Sequence, residues 1–278
     1  MKKLLFTTFI LLLTIGSFAQ EFKGMAIYSS QTQMKDLDIS GDGITPDVKE
    51  KMMESMKKAF EKTYILTFAK YESIYQEEEK LAAPKPSSTG VNIEMAFSGG
   101  NFSKFYKDFK KKEYTTDLDI FGKEFLVTDK LENFEWILTN EQKKIGNYTC
   151  NKAQITIPVT AEDILQYEEF KKKQESAKTS FFIMSEPKER VIEAWYTMEI
   201  PVSNGPGKYW GLPGLILELH EGETTFLCSK IVLNPEEKVE IKAPRNGKKV
   251  SQKEFDAIQE KKIKSMTNGD GVIEIKMN

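Results

Sequence analysis

Short runs of alternating apolar and polar residues recur along this chain and constrain its fold more than any other feature. They are rich in Ile, Val, Phe, Tyr and Thr and are bounded by Gly, Asn, Asp or Pro, which is typical of β-strands separated by turns. Few long helical segments separate the runs, so the pattern predicts mainly antiparallel pairing. The runs cover residues 22–29, 64–75, 91–97, 125–128, 134–138, 148–157, 191–196, 215–220 and 224–233.

Three segments between the runs carry signals of a helix start. Thr45 and Pro46 supply a cap and a first-turn proline, and Thr160 and Ser251 each open a capping-box pattern. The expected helices cover residues 46–61, 161–174 and 252–266. The sequence therefore predicts an α+β fold, in which a mainly antiparallel, curved sheet, open or half-barrel-like, carries about three peripheral helices.

The N-terminus has the composition of a secretory signal peptide. Lys2 and Lys3 precede an uncharged apolar run, and Ala19 completes an A-x-A-like cleavage site. The run is shorter than the ~20 residues that span a bilayer. We expect removal of residues 1–19, a single domain over 20–278, and a soluble periplasmic or secreted protein that meets the membrane only through the signal peptide before cleavage.

The charge balance is nearly even, with a formal net charge of −2. Arg190 and Arg245 are the only arginines among the 40 basic residues. Surfaces that bind nucleic acid cluster basic side chains and favour arginine for phosphate and guanine contacts. Nucleic acid is therefore not an expected partner.

Segment 205–216 contains four glycines and two prolines between aromatic and aliphatic residues, so its backbone is tightly prescribed. Pro213 and Gly214 fit the centre of a type II turn, in which proline takes a negative φ and glycine a positive φ. We interpret the Gly and Pro residues of this region as structural rather than catalytic. These turn residues are Gly205, Pro206, Gly211, Pro213 and Gly214.

A hairpin is expected directly after this segment. With Glu221 and Gly222 as its two-residue turn, Leu217 would lie opposite Phe226 and Leu215 opposite Cys228. Strict alternation would then separate two faces of the first strand. Leu215, Leu217 and Leu219 would share one face, and Ile216, Glu218 and His220 the other.

Residues 211–216 read Gly-Leu-Pro-Gly-Leu-Ile, the motif after which the GLPGLI family of exported Bacteroidetes proteins is named, and the chain resembles that family. Further matching motifs are Trp136-Ile137-Leu138-Thr139, the segment 144–150, Ala194-Trp195-Tyr196, Glu199-Ile200-Pro201, Gly205-Pro206, and Pro244 with Gly247-Lys248-Lys249. The long charged segment between Ala153 and Arg190 departs from the family pattern. The resemblance implies kinship and export but no activity, because the family has none assigned.

The ionisable residues form no familiar catalytic or metal-binding pattern. His220 is the only histidine and has no nucleophile motif near it. Segment 36–47 imitates a calcium loop, but its last ligand position is an aspartate, too short for the usual bidentate reach. Met52 and Met56 fit an apolar helix stripe better than a Cu(I) site. We predict no catalytic residue, no metal and no cofactor.

Cys150 and Cys228 are the only cysteines, and export makes a disulfide chemically feasible. Strand alternation places Cys228 with the leucine face, whereas Cys150 alternates with Lys152. The sequence leaves both a bridge and two free thiols open.

Three functions fit these observations, and the preferred one is a non-enzymatic binding or scaffold protein of the cell envelope with an envelope protein as partner. The second is a carrier of an apolar small molecule in a curved-sheet cavity, and the third is a hydrolase-like enzyme with an unrecognised carboxylate site. Aromatic side chains offer large contact areas at low entropic cost. The residues expected to bind the partner or ligand are Trp195, Tyr196, Asn204, Tyr209 and Trp210.

Overall fold

A computed structural model describes residues 22–33, 45–47, 49–51, 53–54, 61–78, 102–120, 122–176, 186–236 and 239–266. Several sequence expectations lie outside these residues. They are the signal peptide over 1–19, most of the calcium-like segment 36–47, Met52 and Met56, and the strand over 91–97.

Twelve strands of the described chain form one sheet that does not close into a barrel. The strands are β1 (Lys23–Thr32), β2 (Lys62–Ala69), β3 (Glu72–Glu77), β4 (Phe102–Asp108), β5 (Glu113–Ile120), β6 (Lys123–Lys130), β7 (Ile137–Ile145), β8 (Tyr148–Ile157), β9 (Arg190–Thr197), β10 (Leu215–Glu221), β11 (Thr224–Leu233) and β12 (Lys248–Val250). Their order is β12-β6-β5-β4-β3-β2-β1-β11-β10-β9-β8-β7. Neighbours are antiparallel except β12, which runs parallel to β6.

The β-rich pattern of the sequence is confirmed, but the predicted α+β class is wrong. The described residues are mostly in strands, the sheet is mixed, and the helices are few and short. The two complete helices are α1 (Ala161–Ser176) and α2 (Gln252–Met266). Helical residues also occur at 46–47, 49–51 and 53–54.

Of the two complete helices, α2 packs against the sheet and α1 leaves apolar side chains in solvent. Phe255 of α2 packs edge-to-face against Phe125 at 5.6 Å between ring centroids. Ile164 and Leu165 of α1 instead stay exposed, at 47% and 60%. None of the helices in the described ranges is long and apolar enough to cross a membrane.

Alternation along β1 buries Ala26, Tyr28 and Ser30 on one side of the sheet. Leu66 pairs with Ala26, and Tyr75 pairs with Leu66, so both lie on that side, which we call the covered face. Apolar side chains gather in three clusters, around β1 and β2, around β8 to β10, and between β5, β6 and α2.

Candidate functional site

Residues 198–214 connect β9 to β10 and contain most of the Gly/Pro segment. Tyr209 and Leu212 of this connection are buried in one cluster with Ile216 and Leu219 of β10. The connection therefore folds back over the covered face instead of projecting into solvent.

Backbone hydrogen bonds fix this path. The Leu215 N–H donates to the Ile200 carbonyl at 3.0 Å, and the Ile216 N–H donates to the Asn204 carbonyl at 2.9 Å. The Tyr28 hydroxyl reaches across the covered face and donates to the Ile216 carbonyl at 2.6 Å. These buried backbone groups of the connection are thus paired within the core, whereas the buried Asn204 Nδ2 and Tyr209 hydroxyl have no hydrogen-bond partner among the described residues.

Lys107 of β4 forms hydrogen bonds to the connection from a distant part of the sheet. Its ammonium group donates to the carbonyl oxygens of Gly205, Gly207 and Tyr209 at 3.0, 2.8 and 3.2 Å. The side chain is 0% exposed. Four strands separate β4 from β10 in the sheet, so a single lysine joins elements that the strand ladder leaves far apart.

Sequence reasoning missed Lys107 because it did not recognise β4 as a strand. A signal was present in the sequence. Phe105 and Lys107 are two residues apart, so on a strand the lysine points to the same side as an aromatic residue that packs against the core. A lysine in phase with core residues indicates a buried cation with dedicated acceptors.

Burial lowers the pKa of Lys107 to about 7 from its ordinary 10.5, which predicts a pH dependence of stability. Between these values the unfolded chain binds the proton that the folded chain releases, so the free energy of unfolding rises with pH. From pH 7 to pH 9 we expect a gain of about 2 kcal/mol relative to Lys107→Met, measured by urea denaturation. Parallel pH curves for the two proteins would mean that the three carbonyls keep the amine charged throughout.

Glycine is required at Gly214 for a different reason from the one predicted. Gly214 has no positive φ, so the predicted type II turn is wrong. A Cβ atom at Gly214 would lie 2.0 Å from the Thr197 carbonyl oxygen. Gly211 instead carries the positive φ, at +101°. Close packing against β9, and not turn geometry, excludes a side chain at Gly214.

The other turn residues also have structural surroundings. Gly205 and Pro206 are buried, and a Cβ atom on Gly205 would approach the Ile216 side chain to 2.7 Å. Pro213 is exposed beside the buried Leu212.

Four of the five residues expected to bind a ligand or partner are in the core. The exposed fractions are 9% for Trp195, 4% for Tyr196, 1% for Asn204 and 3% for Tyr209. Trp210 alone is half-buried, and its indole N–H donates to the Glu132 carbonyl at 2.7 Å. In this conformation only Trp210 offers surface to another molecule.

The two cysteines are free, so the disulfide that the sequence left open is absent here. Burial raises the pKa of Cys150 to about 11 and that of Cys228 to about 12. Both thiols therefore stay protonated near neutral pH, where the thiol is a poor nucleophile.

The hairpin after the connection has a different register from the predicted one. Gly222 and Glu223 form the turn, with Glu221 opposite Thr224 and Leu219, not Leu217, opposite Phe226. A register shift between Ile216 and Glu218 relative to β9 adds one residue to β10. Leu219 consequently joins Ile216 in the covered-face cluster, so the predicted grouping of Leu219 with Leu215 and Leu217, apart from Ile216, is wrong.

Glu218 and His220 lie on the side of the sheet opposite the covered face and belong to a polar network. The Lys143 ammonium donates to both Glu218 oxygens at 2.7 and 2.8 Å. His220 Nε2 lies 2.5 Å from Glu218 Oε1, and its Nδ1 lies 3.0 Å from the Thr225 hydroxyl. Lys143 also stacks over the Trp195 ring at 4.3 Å.

In this network the Lys143 ammonium balances the charge of the Glu218 carboxylate. Burial opposes ionisation of Glu218, but hydrogen bonds from Lys143 and His220 outweigh it and keep the pKa of Glu218 below its ordinary value. A carboxylate held in its ionised form is unsuited to act as a general acid. Within the described residues, no group of three or more His, Cys, Asp or Glu side chains is placed to hold a metal ion.

Exposed apolar residues concentrate at one corner of the sheet. Here β7 begins, β8 leads into α1, and β9 begins at Arg190, which pairs with Ile157. Five of the nine large apolar residues that are exposed in the described chain belong to these elements. We call them the edge surface: Ile137 (58% exposed), Leu138 (57%), Ile164 (47%), Leu165 (60%) and Val191 (45%).

Comparison with known proteins gives limited matches. Residues 136–218 are similar to a family described as a protein of unknown function (Porph_ging). No curated protein matches the chain. Two solved structures of PNGF-II, in space groups C2 and P21, are similar with TM-scores of 0.47 and 0.46 and 14% identity. The matches cover 87% of this chain but only 33% and 34% of the PNGF-II chains, so this protein spans about a third of their length.

Proposed function

We propose that this protein is an exported, non-enzymatic binding protein of the cell envelope, related to the GLPGLI family, that holds an extended segment of a partner protein at β7. The observation that carries the proposal is the edge surface. Exposed apolar side chains grouped at the rim of a sheet are typical of a protein-interaction site.

The position of β7 supports this function. It is the last strand of an open sheet, and among the described strands it pairs only with β8. Its outer backbone N–H and C=O groups can therefore pair with an added strand, the mode called β-augmentation. The opposite edge differs, because β12 is only three residues long and its Lys248 and Lys249 are exposed.

Local features limit the docking segment to the start of β7. An irregularity between Leu138 and Gln142 interrupts the pairing with β8, and Lys143 and Lys144 follow it. Bulges and lysines are the usual means of preventing edge-to-edge pairing. Residues 136–139 are thus the expected footprint, with Ile137 and Leu138 as anchors on the two faces of the strand.

Within the described residues, no specific observation favours either of the other two functions. The open pocket between β5, β6 and the start of α2 is lined in part by Thr115, Thr128, Arg245 and Glu254, which suits an apolar ligand poorly. Glu218, the carboxylate of the polar network, is bound to Lys143 and His220. The carrier and the hydrolase remain predictions of the sequence.

A displayed library of random peptides, selected on the immobilised mature protein, tests the proposed edge. We expect enriched peptides with alternating apolar residues, whose binding weakens by at least about tenfold in Ile137→Lys/Leu138→Lys, because two apolar anchors are lost. Binding is measured by calorimetry, and the outward-facing amides within residues 137–139 should gain protection from hydrogen exchange.

The matched control is Met198→Lys/Leu233→Lys, which adds the same charge at exposed apolar positions elsewhere (57% and 39% exposed). It should bind the peptides like the wild type. Equal weakening in both double variants, or enriched peptides that ignore the β7 changes, would refute strand addition at this edge.

A further inference from the structure

We propose that the end of the sheet where β2 turns into β3 and β4 turns into β5 binds the surface of an anionic lipid bilayer. This turn end comprises Lys70 and Tyr71, residues 109–112, and Lys208 with Trp210 from the β9–β10 connection. The turns lie at the end of the strands where β7 finishes, and the turn end meets the start of β7 at one point, where the Trp136 indole contacts Trp210. The inference does not depend on the peptide-binding function.

Direct contacts bring the three segments together. The Phe109 N–H donates to the Tyr71 carbonyl at 2.9 Å, which joins the two turns. The Phe109 and Trp210 rings lie 5.7 Å apart at 41°, which joins the second turn to the connection. The Trp136 indole N–H donates to the Trp210 carbonyl at 2.8 Å and holds that part of the connection in place.

Aromatic side chains at the turn end suit the water–lipid interface. Tyr71 is 44% exposed, and Phe109 and Trp210 are half-buried. Tyr and Trp combine an apolar body with a polar tip and are enriched at the headgroup level of membranes. Turns at the end of a sheet can reach a flat surface together, whereas the sheet itself stays in water.

Lysines surround these aromatic residues. The Lys70 and Lys110 ammonium groups lie 5.2 and 4.4 Å from the centre of the Tyr71 ring. Lys111, Lys112 and Lys208 are also exposed here. Five lysines thus gather at the turn end, against four acidic residues, Glu72, Asp108, Glu113 and Glu132. Lysine side chains near an anionic leaflet contribute attraction while their stems lie along apolar surface.

Three of these four acidic residues are hydrogen-bonded or ion-paired, and Glu72 accepts a hydrogen bond from the Tyr106 hydroxyl at 2.8 Å. The Asp108 carboxylate accepts the N–H groups of Lys110 and Lys111 at 3.0 Å each and pairs with the Lys111 ammonium at 3.2 Å. Glu132 lies 3.6 Å from the Lys208 ammonium. In the described part of the chain, Lys70, Lys110 and Lys112 make no ion pair with a carboxylate.

A nucleic acid is the less suitable anion for this surface. Phe109 and Trp210 pack against each other instead of standing apart to accept bases, and the turn end contains no arginine. Contact with a membrane surface also goes beyond the sequence expectation, in which the membrane is met only through the signal peptide.

Co-sedimentation with vesicles tests the proposal. We expect the mature protein to bind phosphatidylcholine vesicles that contain phosphatidylglycerol, and not pure phosphatidylcholine vesicles, with affinity that falls as salt is added. Lys70→Gln/Lys110→Gln should bind about 25-fold more weakly, because each lysine near an anionic surface contributes about fivefold. Tyr71→Ala should also weaken binding, and this loss of affinity should depend less on salt, because the substitution removes an apolar contact and no charge.

Lys123→Gln/Lys230→Gln is the matched control, with two exposed lysines neutralised away from the turns. It should bind within about twofold of the wild type, because its two lysines lie on β6 and β11 and outside the turns. Absence of binding to anionic vesicles, equal binding to neutral vesicles, or an equal loss in both double variants would overturn the proposal. Circular dichroism of every variant verifies that the sheet is intact.

Discussion

Lys107→Met is expected to lower the free energy of unfolding by about 3 kcal/mol. The substitution keeps the length and apolar stem of the side chain but removes the donor for three carbonyl oxygens, those of Gly205, Gly207 and Tyr209. Carbonyls left in a dry core without a donor lose their hydration and gain nothing in exchange. Urea denaturation near pH 7, followed by tryptophan fluorescence, measures the loss.

Lys104→Met is the matched control, because Lys104 lies on the same strand and is exposed. We expect it to change stability by no more than about 0.5 kcal/mol. If both methionine variants unfold at the same urea concentration, the structural role given to Lys107 is refuted. If Lys107→Met unfolds too readily to measure, the midpoint of Lys107→Arg gives a second comparison, since a larger guanidinium group must also fit inside the carbonyl cage.

Gly214→Ala is expected to be more damaging, with a loss of about 4 kcal/mol or no folded protein at all. The added Cβ atom would meet the Thr197 carbonyl oxygen at 2.0 Å, far inside van der Waals contact. That oxygen belongs to the backbone of β9, so relief requires β9 and β10 to separate. Thermal unfolding and the soluble yield report the effect.

The control for this prediction is Gly146→Ala in the turn between β7 and β8. Gly146 has a φ of +57°, and its added Cβ atom would meet nothing within 4 Å. Only the left-handed backbone opposes alanine there, at about 1 kcal/mol. If Gly214→Ala costs no more than Gly146→Ala, steric exclusion by Thr197 is not the reason for glycine at position 214.

Local sequence patterns predicted the elements that depend on short-range interactions. Thr160 and Asp163 exchange the reciprocal hydrogen bonds of a capping box, at 2.8 and 3.1 Å between backbone nitrogen and side-chain oxygen, where α1 begins. Ser251 and Glu254 do the same at α2. Such signals depend on residues three positions apart, so a reading of the sequence can detect them.

The pairing register of the β10–β11 hairpin was harder to predict, because moving the turn by one residue changes every pair. The hairpin turn lies at Gly222 and Glu223, one position later than expected, which moves each residue of β10 to a partner two positions away on β11. The irregularity near Leu217 then alters which side chains of β10 share a face. An extra residue of this kind depends on contacts with β9, and no local pattern marks it.

By itself the sequence determined that this chain forms many short, mainly antiparallel strands, where its two complete helices begin, and that the Gly/Pro segment has a prescribed backbone. The tertiary structure alone decided that Tyr209 is buried, that Lys107 holds the connection above it, and that Ile137 and Leu138 are exposed on the edge strand β7. The physical reason is distance along the chain. Alternation and capping arise between neighbours, whereas Lys107 and Gly205 meet only because the sheet brings β4 and the β9–β10 connection together.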